Sequence, residues 1–192
     1  MPNVEYKTNV FSILNRSGRP LAARRIIRQH MRSQFYIRFA IKAIDFMTKR
    51  TQEGKDVFGN PFEGYSQSYK NSLAYKIYNK TGKVNLTLTG EMLASLAIGS
   101  TFDGEIKIVI LGEHNQAKAQ GHTFGIERRV GEAKKVKIGN RTKTIYAKQK
   151  VRRRFVGLSD KEETEVFEET LREEIDERNL VLAVEGGLRV VE

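Results

Sequence analysis

The chain has 192 residues, enough for one domain or one domain with a small extension, and 39% of them are hydrophobic, which supplies a core and excludes a wholly disordered chain. Zero cysteines exclude disulfides, thiolate-zinc sites, iron–sulfur clusters and cysteine nucleophiles, and no uninterrupted apolar run reaches the ~18 residues of a membrane helix. The net charge of +11 favours polyanions or an acidic protein surface as partners and says nothing about fold.

Met1-Pro2-Asn3-Val4-Glu5 lacks the charged-then-apolar order of a signal peptide, so a soluble protein with no membrane partner is expected. Residues 1–19 read as an N-terminal extension. From Pro20 to about Gln52 there is no internal Gly or Pro, and Pro fits a first helical turn because its missing N–H is not needed there. The stretch predicts a long helix with at most one break. Tyr36, Ala40, Ala43, Ile44 and Met47 fall on one face, whereas Phe35, Phe39 and Phe46 fall elsewhere. So much apolar girth needs more than one packing surface, either within its own domain or against another subunit. Arg24, Arg28 and Arg32 form a basic stripe, read as a solvated face or as a phosphate or carboxylate contact.

Glu53 to Phe62 is rich in turn formers and predicts a loop. Ser66 to Tyr78, with Tyr69, Leu73 and Ile77 at helical spacing, predicts a short amphipathic helix. Leu86 to Leu96 predicts an extended stretch followed by a helical turn, with Thr89 as N-cap and Glu91 near the positive helix end. Ala97 to Leu111 carries the strongest hairpin signal, because Asp103-Gly104 supplies the positive φ values of a tight turn between two β-rich runs. Ile106, Ile108 and Ile110 should face the core.

A second hairpin is predicted where Lys135–Ile138 and Thr142–Tyr146 flank Gly139-Asn140-Arg141. Lys and Arg alternate there with Val, Ile and Thr, so one strongly cationic face on an exposed arm is expected. Ser159-Asp160-Lys161-Glu162 is a capping box that starts a helix, and Phe167, Leu171 and Ile175 give that helix a narrow apolar stripe among many glutamates. Leu180–Val184 and Leu188–Val191 are short β-prone runs, read as a closing hairpin or as a tail that adds strands to a neighbour.

Charge is distributed in blocks. Residues 1–117 hold 17 basic and 9 acidic side chains, residues 118–154 hold 13 and 2, and residues 155–192 hold 4 and 12. Adjacent blocks of opposite sign have two readings: solvated surfaces that neutralise each other within one chain, or complementary ends that join neighbouring copies.

Catalytic patterns are scarce. His30, His114 and His122 lack metal-ligand spacing, Thr81-Gly-Lys-Val84 is not a phosphate-binding loop, and Gly64-Tyr-Ser-Gln-Ser68 is not a nucleophile elbow. Carboxylates cluster only on the acidic helix, where exposure leaves nothing to raise a catalytic pKa. No enzymatic activity, metal or cofactor is expected.

Four segments in order resemble the phage virion morphogenesis family, the tail-completion or neck proteins of tailed, Mu-like phages. They are Gly54–Phe62 followed by Tyr65-Ser66, Leu86–Ile98, Asn115–Gly125 and Arg152–Asp160. The last matches the family's Arg-x-Phe-Leu-Gly-Leu-Ser run before a terminal helix. This chain has Lys150-Val-Arg where the family usually has Ile-Pro-Ala, and polar residues near Asn115 replace an expected Tyr.

The resemblance covers roughly residues 20–178 and implies an α+β fold, with a long N-terminal helix packed on a small, mostly antiparallel sheet. The residues themselves add a basic hairpin arm about 126–154, a C-terminal acidic helix and, beyond the resemblance, a β-prone tail over 179–192. The resemblance further implies a non-enzymatic part of the virion neck or tail, made in the host cytoplasm. The partners implied are copies of itself in a ring, a hexamer by family likeness, other neck, connector or tail proteins, and non-specific contact with packaged DNA. Thr89, Gly90, Gly125, Phe155, Gly157 and Ser159 would be its structural motif residues.

The basic contacts would come from Arg128, Arg129, Lys134, Lys135, Lys137, Arg141, Lys143, Arg152, Arg153 and Arg154, and the acidic ones from Glu165, Glu168, Glu169 and Glu173. The alternative is a nucleic-acid-binding protein that uses residues 128–154. Against it, Tyr146 is the lone aromatic in that stretch, which leaves little platform for base stacking. A weaker third reading is an assembly chaperone absent from the finished particle.

Overall fold

Val4, Tyr6, Thr8 and Val10 are buried at every second position while Lys7 between them is exposed, the period of a strand with one covered face. The computed structural model describes residues 3–31, 33–65, 67–78, 84, 86, 90–102, 104–138 and 141–185. In chain order the elements are β1 (Glu5–Asn9), α1 (Val10–Arg16), α2 (Leu21–His30), α3 (Ser33–Gln52), the short helices α4 (Gln67–Lys70), α5 (Leu73–Ile77) and α6 (Glu91–Ala94), β2 (Leu96–Phe102), β3 (Glu105–Ile110), α7 (Glu113–Phe124), β4 (Ile126–Ile138), β5 (Arg141–Val151) and α8 (Asp160–Glu185). The fold is α+β.

The chain divides into two units. A sheet unit comprises Glu5–Lys49, Leu96–Ile110 and Val156–Glu192, and a ribbon unit comprises Met1–Val4, Arg50–Ser95 and Leu111–Phe155. Within residues 1–19, read from the sequence as an N-terminal extension, Glu5–Asn9 forms β1 and Val10–Arg16 forms α1 of the sheet unit. β1 pairs antiparallel with β3, and the sheet order is β1-β3-β2.

The hairpin of β2 and β3 forms as its turn signal predicts, with Phe102 opposite Glu105. Ile106, Ile108 and Ile110 are buried. Gly104 has φ +78° and its carbonyl accepts from Val10 N–H at 2.9 Å. A Cβ there would lie 2.5 Å from the Phe11 ring, so glycine is required by space as well as by backbone. Asn9 caps α1 by accepting from Phe11 and Ser12 N–H.

The long helix with at most one break expected from Pro20 is two helices, α2 ending at His30 and α3 beginning at Ser33. The apolar girth of α3 also divides differently from its sequence reading. Phe35, Phe39, Ala40, Ala43 and Met47 are buried, Tyr36, Ile44 and Phe46 are half-buried, and Ile37 and Ile41 are exposed. Phe35, Phe39, Ala43 and Met47 recur every fourth residue and so share the buried face, where the two rings remove the most apolar area from water, on the order of 25 cal/mol per Å². Of the basic stripe, Arg28 lies 4.0 Å over the Phe11 ring and Arg24 Nε donates to Arg19 O; Arg32 lies outside the described residues.

The capping box of α8 is present: Glu162 Oε2 accepts from Ser159 N–H at 2.8 Å and Ser159 Oγ accepts from Glu162 N–H at 3.4 Å. Phe167 meets Phe35 edge-on at 5.7 Å, and Val166, Thr170 and Leu171 are buried beside it. Ile175 is exposed, which corrects its place in the expected stripe. The helix continues to Glu185, so Leu180–Val184 is helical rather than extended. Propagating an existing helix fixes one residue per new hydrogen bond, and that outweighs the modest strand preference of two valines. The other β-prone run, Leu188–Val191, lies outside the described residues.

In the ribbon unit, Asp56 Oδ1 accepts from Phe58 and Asn60 N–H and shapes the loop Glu53–Phe62. The amphipathic helix expected over Ser66–Tyr78 is two short helices, divided where Ser72 caps α5 by accepting from Tyr75 N–H. Leu73 and Ile77 are exposed, against expectation. Thr89 lies outside the described residues, and the N-cap position of α6 belongs to Gly90 at φ 77°, which has no side chain to cap with.

β4 and β5 pair antiparallel, with Ile138 opposite Arg141 and an irregularity between Val130 and Lys134. Beyond that irregularity the register sets Lys134 opposite Ile145, Lys135 opposite Thr144, Val136 opposite Lys143, and Lys137 opposite Thr142. Every pair there joins one cation to a β-branched residue, which avoids like charges across the strands. Basic residues therefore occupy both parities of the register, a correction to the single cationic face expected from the sequence.

Candidate functional site

The sequence treats Arg152, Arg153 and Arg154 as one basic run, but the fold separates them. Arg152 and Arg154 are exposed, whereas Arg153 is buried at 8% exposure. Its Nη2 donates to Glu63 O at 3.0 Å and to Gly64 O at 3.4 Å, its backbone N–H donates to His122 O at 2.7 Å, and its guanidinium stands 6.0 Å from the centre of the Tyr65 ring. The planar fork suits this task, because several N–H donors must reach carbonyls at once. Arg153 is thus a framework residue whose donors reach carbonyls of its own unit.

Its neighbours extend the same junction. Val57 N–H donates to Arg154 O at 2.9 Å, and Arg50 Nη2 donates to Phe155 O at 2.8 Å beside the fully buried Phe155 ring. Gly125 closes α7 at φ 102°. Loop Glu53–Gly64, the end of α7 and the run Arg152–Phe155 are remote in sequence and converge here.

Two buried groups give the junction an electrostatic signature. Burial, with a smaller contribution from the Arg153 charge, pushes the His122 imidazole down to about 4, so the ring is neutral near pH 7. Among the described residues neither His122 Nδ1 nor Thr123 Oγ1 has a hydrogen-bond partner. Beside this junction Tyr65, Tyr69 and Tyr75 form a triangle of rings with centroids 5.0–5.7 Å apart. The sequence reading missed that cluster, although Tyr65 and Tyr69 stand four residues apart.

The acidic residues proposed for a partner surface are engaged within the sheet unit. Lys42 Nζ donates to Glu169 at 2.6 Å and to Glu173 at 2.8 Å, and Arg19 pairs with Glu168. Arg16 bridges Asp160 and Glu163, and Arg38 lies 3.7 Å from Glu174. Glu165 is exposed. Burial works against the Lys42 charge, yet its bonds to Glu169 and Glu173 raise its pKa overall. Glu163 is nearly buried and also accepts from Tyr6 Oη, whose own pKa is raised by burial and by that carboxylate.

Local pairing has a large-scale counterpart in the charge totals. The sheet unit, which includes the acidic helix, has 15 basic and 16 acidic residues, net −1; the ribbon unit has 19 and 7, net +12. The ten residues proposed as basic contacts all belong to the ribbon unit. Arg128, Arg129, Lys134, Lys135 and Lys137 lie on β4, and Arg141 and Lys143 on β5. Of the motif residues, Ser159 caps α8, and Gly157, at φ 125°, donates its N–H to Met47 Sδ at 3.5 Å.

No protein family, curated protein or solved structure matches the chain. Among the described residues no three His, Cys, Asp or Glu side chains gather as a metal site, and no helix is long and apolar enough to cross a membrane.

Proposed function

We propose that the chain is a non-enzymatic structural part of a phage virion, acting at the head–tail junction as a neck or tail-completion protein in a ring of like copies. The observation that carries this reading is the convergence of three of the four resembling segments on the Arg153 junction. Their polar groups are directed at backbone carbonyls, as suits a framework and not a reacting centre. The segregated charge modifies how copies would join. An interface between the acidic helix and a basic neighbour is weakened on its acidic side, because three of the four carboxylates put forward for it, Glu168, Glu169 and Glu173, already pair within their own unit. Copies would meet through the near-neutral sheet unit, where Ile37 and Ile41, one turn apart on α3, present 42% and 56% of their surface to solvent.

Sedimentation velocity and negative-stain micrographs test this. Rings should persist from about 0.1 M to about 1 M salt, over which the screening length falls from ~10 to ~3 Å. Ile37→Glu with Ile41→Glu should yield monomers. A wild-type monomer throughout, with no ring in particles, overturns the assignment; rings that dissolve in salt restore the charge-complementary interface.

A further inference from the structure

We infer that the β4–β5 ribbon binds duplex DNA by lying along a groove, reading the phosphate backbone and not the base sequence. Between Ile126 and Val151 the sequence has nine Lys and Arg against two Glu. The strands pair with each other as a two-stranded sheet, β4 with 13 residues and β5 with 11. At ~3.3 Å per residue the shorter strand spans about 36 Å, close to one turn of B-DNA, and a two-stranded ribbon fits a major groove about 12 Å wide.

Charge placement selects the partner. The five pairs beyond the irregularity contain Lys134, Lys135, Lys137, Arg141 and Lys143, one cation each, with Lys135 and Lys137 at one parity and the other three at the opposite one. An acidic protein surface would meet a ribbon from one side. A ribbon lying in a groove turns one face to the floor and the other outward, with phosphates along both of its edges, so long cationic side chains on either face are within reach of phosphates there. Single strands are instead held by base stacking on aromatic rings, and Tyr146 is the lone aromatic of the ribbon. A two-stranded hairpin is at best marginally stable in water by itself, which leaves this segment suited to ordering on a ligand. The ring assignment is independent of this inference, since rings are scored without DNA.

Fluorescence anisotropy with two labelled 30-base-pair duplexes of unrelated sequence, the corresponding single strands, and polyglutamate as competitor provides the test. Both duplexes should bind alike and more tightly than single strands, with log affinity falling against log salt at a slope of about −4 to −5, from five contacts at ~0.9 each. Replacing Lys134, Lys135, Lys137, Arg141 and Lys143 with Gln should remove most of that slope and at least about tenfold of affinity near 0.1 M salt. Arg152→Gln with Arg154→Gln, outside the ribbon, should leave most of the slope in place. The wild-type slope and the duplex preference need no variant and so do not depend on variant folding. No duplex binding at low salt, equal or tighter binding of single strands or polyglutamate, or an unchanged slope in the fivefold variant would overturn the inference.

Discussion

Three consecutive arginines show how far the environment of a residue departs from its chemistry. Arg153→Gln removes a buried guanidinium and its charge-assisted bonds to the Glu63 and Gly64 carbonyls, at about 1–3 kcal/mol in urea unfolding, whereas Arg152→Gln and Arg154→Gln should stay within about 0.5 kcal/mol. Equal effects at the three positions would remove Arg153 from the framework. His122 lies against the same junction and predicts a pH dependence. Its folded pKa of about 4 is below the model-peptide value of 6.5, so as pH falls the unfolded chain takes up the proton first. Stability from the neutral ring is complete above about 6.5 and is lost progressively down to about 4, by at most about 3 kcal/mol. His122→Gln should flatten that limb, and the difference between the two denaturation curves isolates it from carboxylate titration. Nothing local in the sequence distinguishes Arg153 from its neighbours; its burial is set by carbonyls some ninety residues earlier.

At the scale of elements, α8 shows what sequence does and does not encode. Ser159→Ala should cost about 1 kcal/mol, because it removes an acceptor for an otherwise unsatisfied helix N–H. Phe167→Ala should cost about 3–5 kcal/mol and Ile175→Ala less than about 0.5 kcal/mol, although both residues sit on the same expected stripe. Thermal melts of the two variants check this, and similar losses would contradict the burial pattern. The capping box and the Asp103-Gly104 hairpin were legible because their chemistry is local. β1 had a readable alternation at Val4, Tyr6, Thr8 and Val10, but four positions beside a short helix give a weak signal. The far end of α8 was illegible for a different reason: strand preference competes there with a helix already under way. The pairing of the acidic helix is not legible in the charge blocks, because Arg16, Arg19 and Lys42 reach α8 from more than 120 residues away.

Across the whole molecule the chain passes between its two units five times, after Val4, Lys49, Ser95, Ile110 and Phe155. Neither unit is a continuous stretch, and residues 1–157 hold all of the ribbon unit but lack α8 of the sheet unit. In chains ended at Gly157 the sheet unit should therefore fail to fold, since Phe35 loses its Phe167 partner and Arg16, Arg19 and Lys42 lose their carboxylates. Dispersed, exchange-protected amide resonances from β1, β2 and β3 in that truncation would show that the sheet unit is complete without α8. The β1–β3 pairing also has a consequence in time. A ribosome working at roughly 5–20 residues per second needs about 5–20 s between making β1 and making β3, and longer before Glu163 appears to receive the Tyr6 hydroxyl 157 positions behind it. The first strand waits as an unpaired edge until residues 105–110 have been made, and through that interval its free backbone groups are open to pairing with another chain.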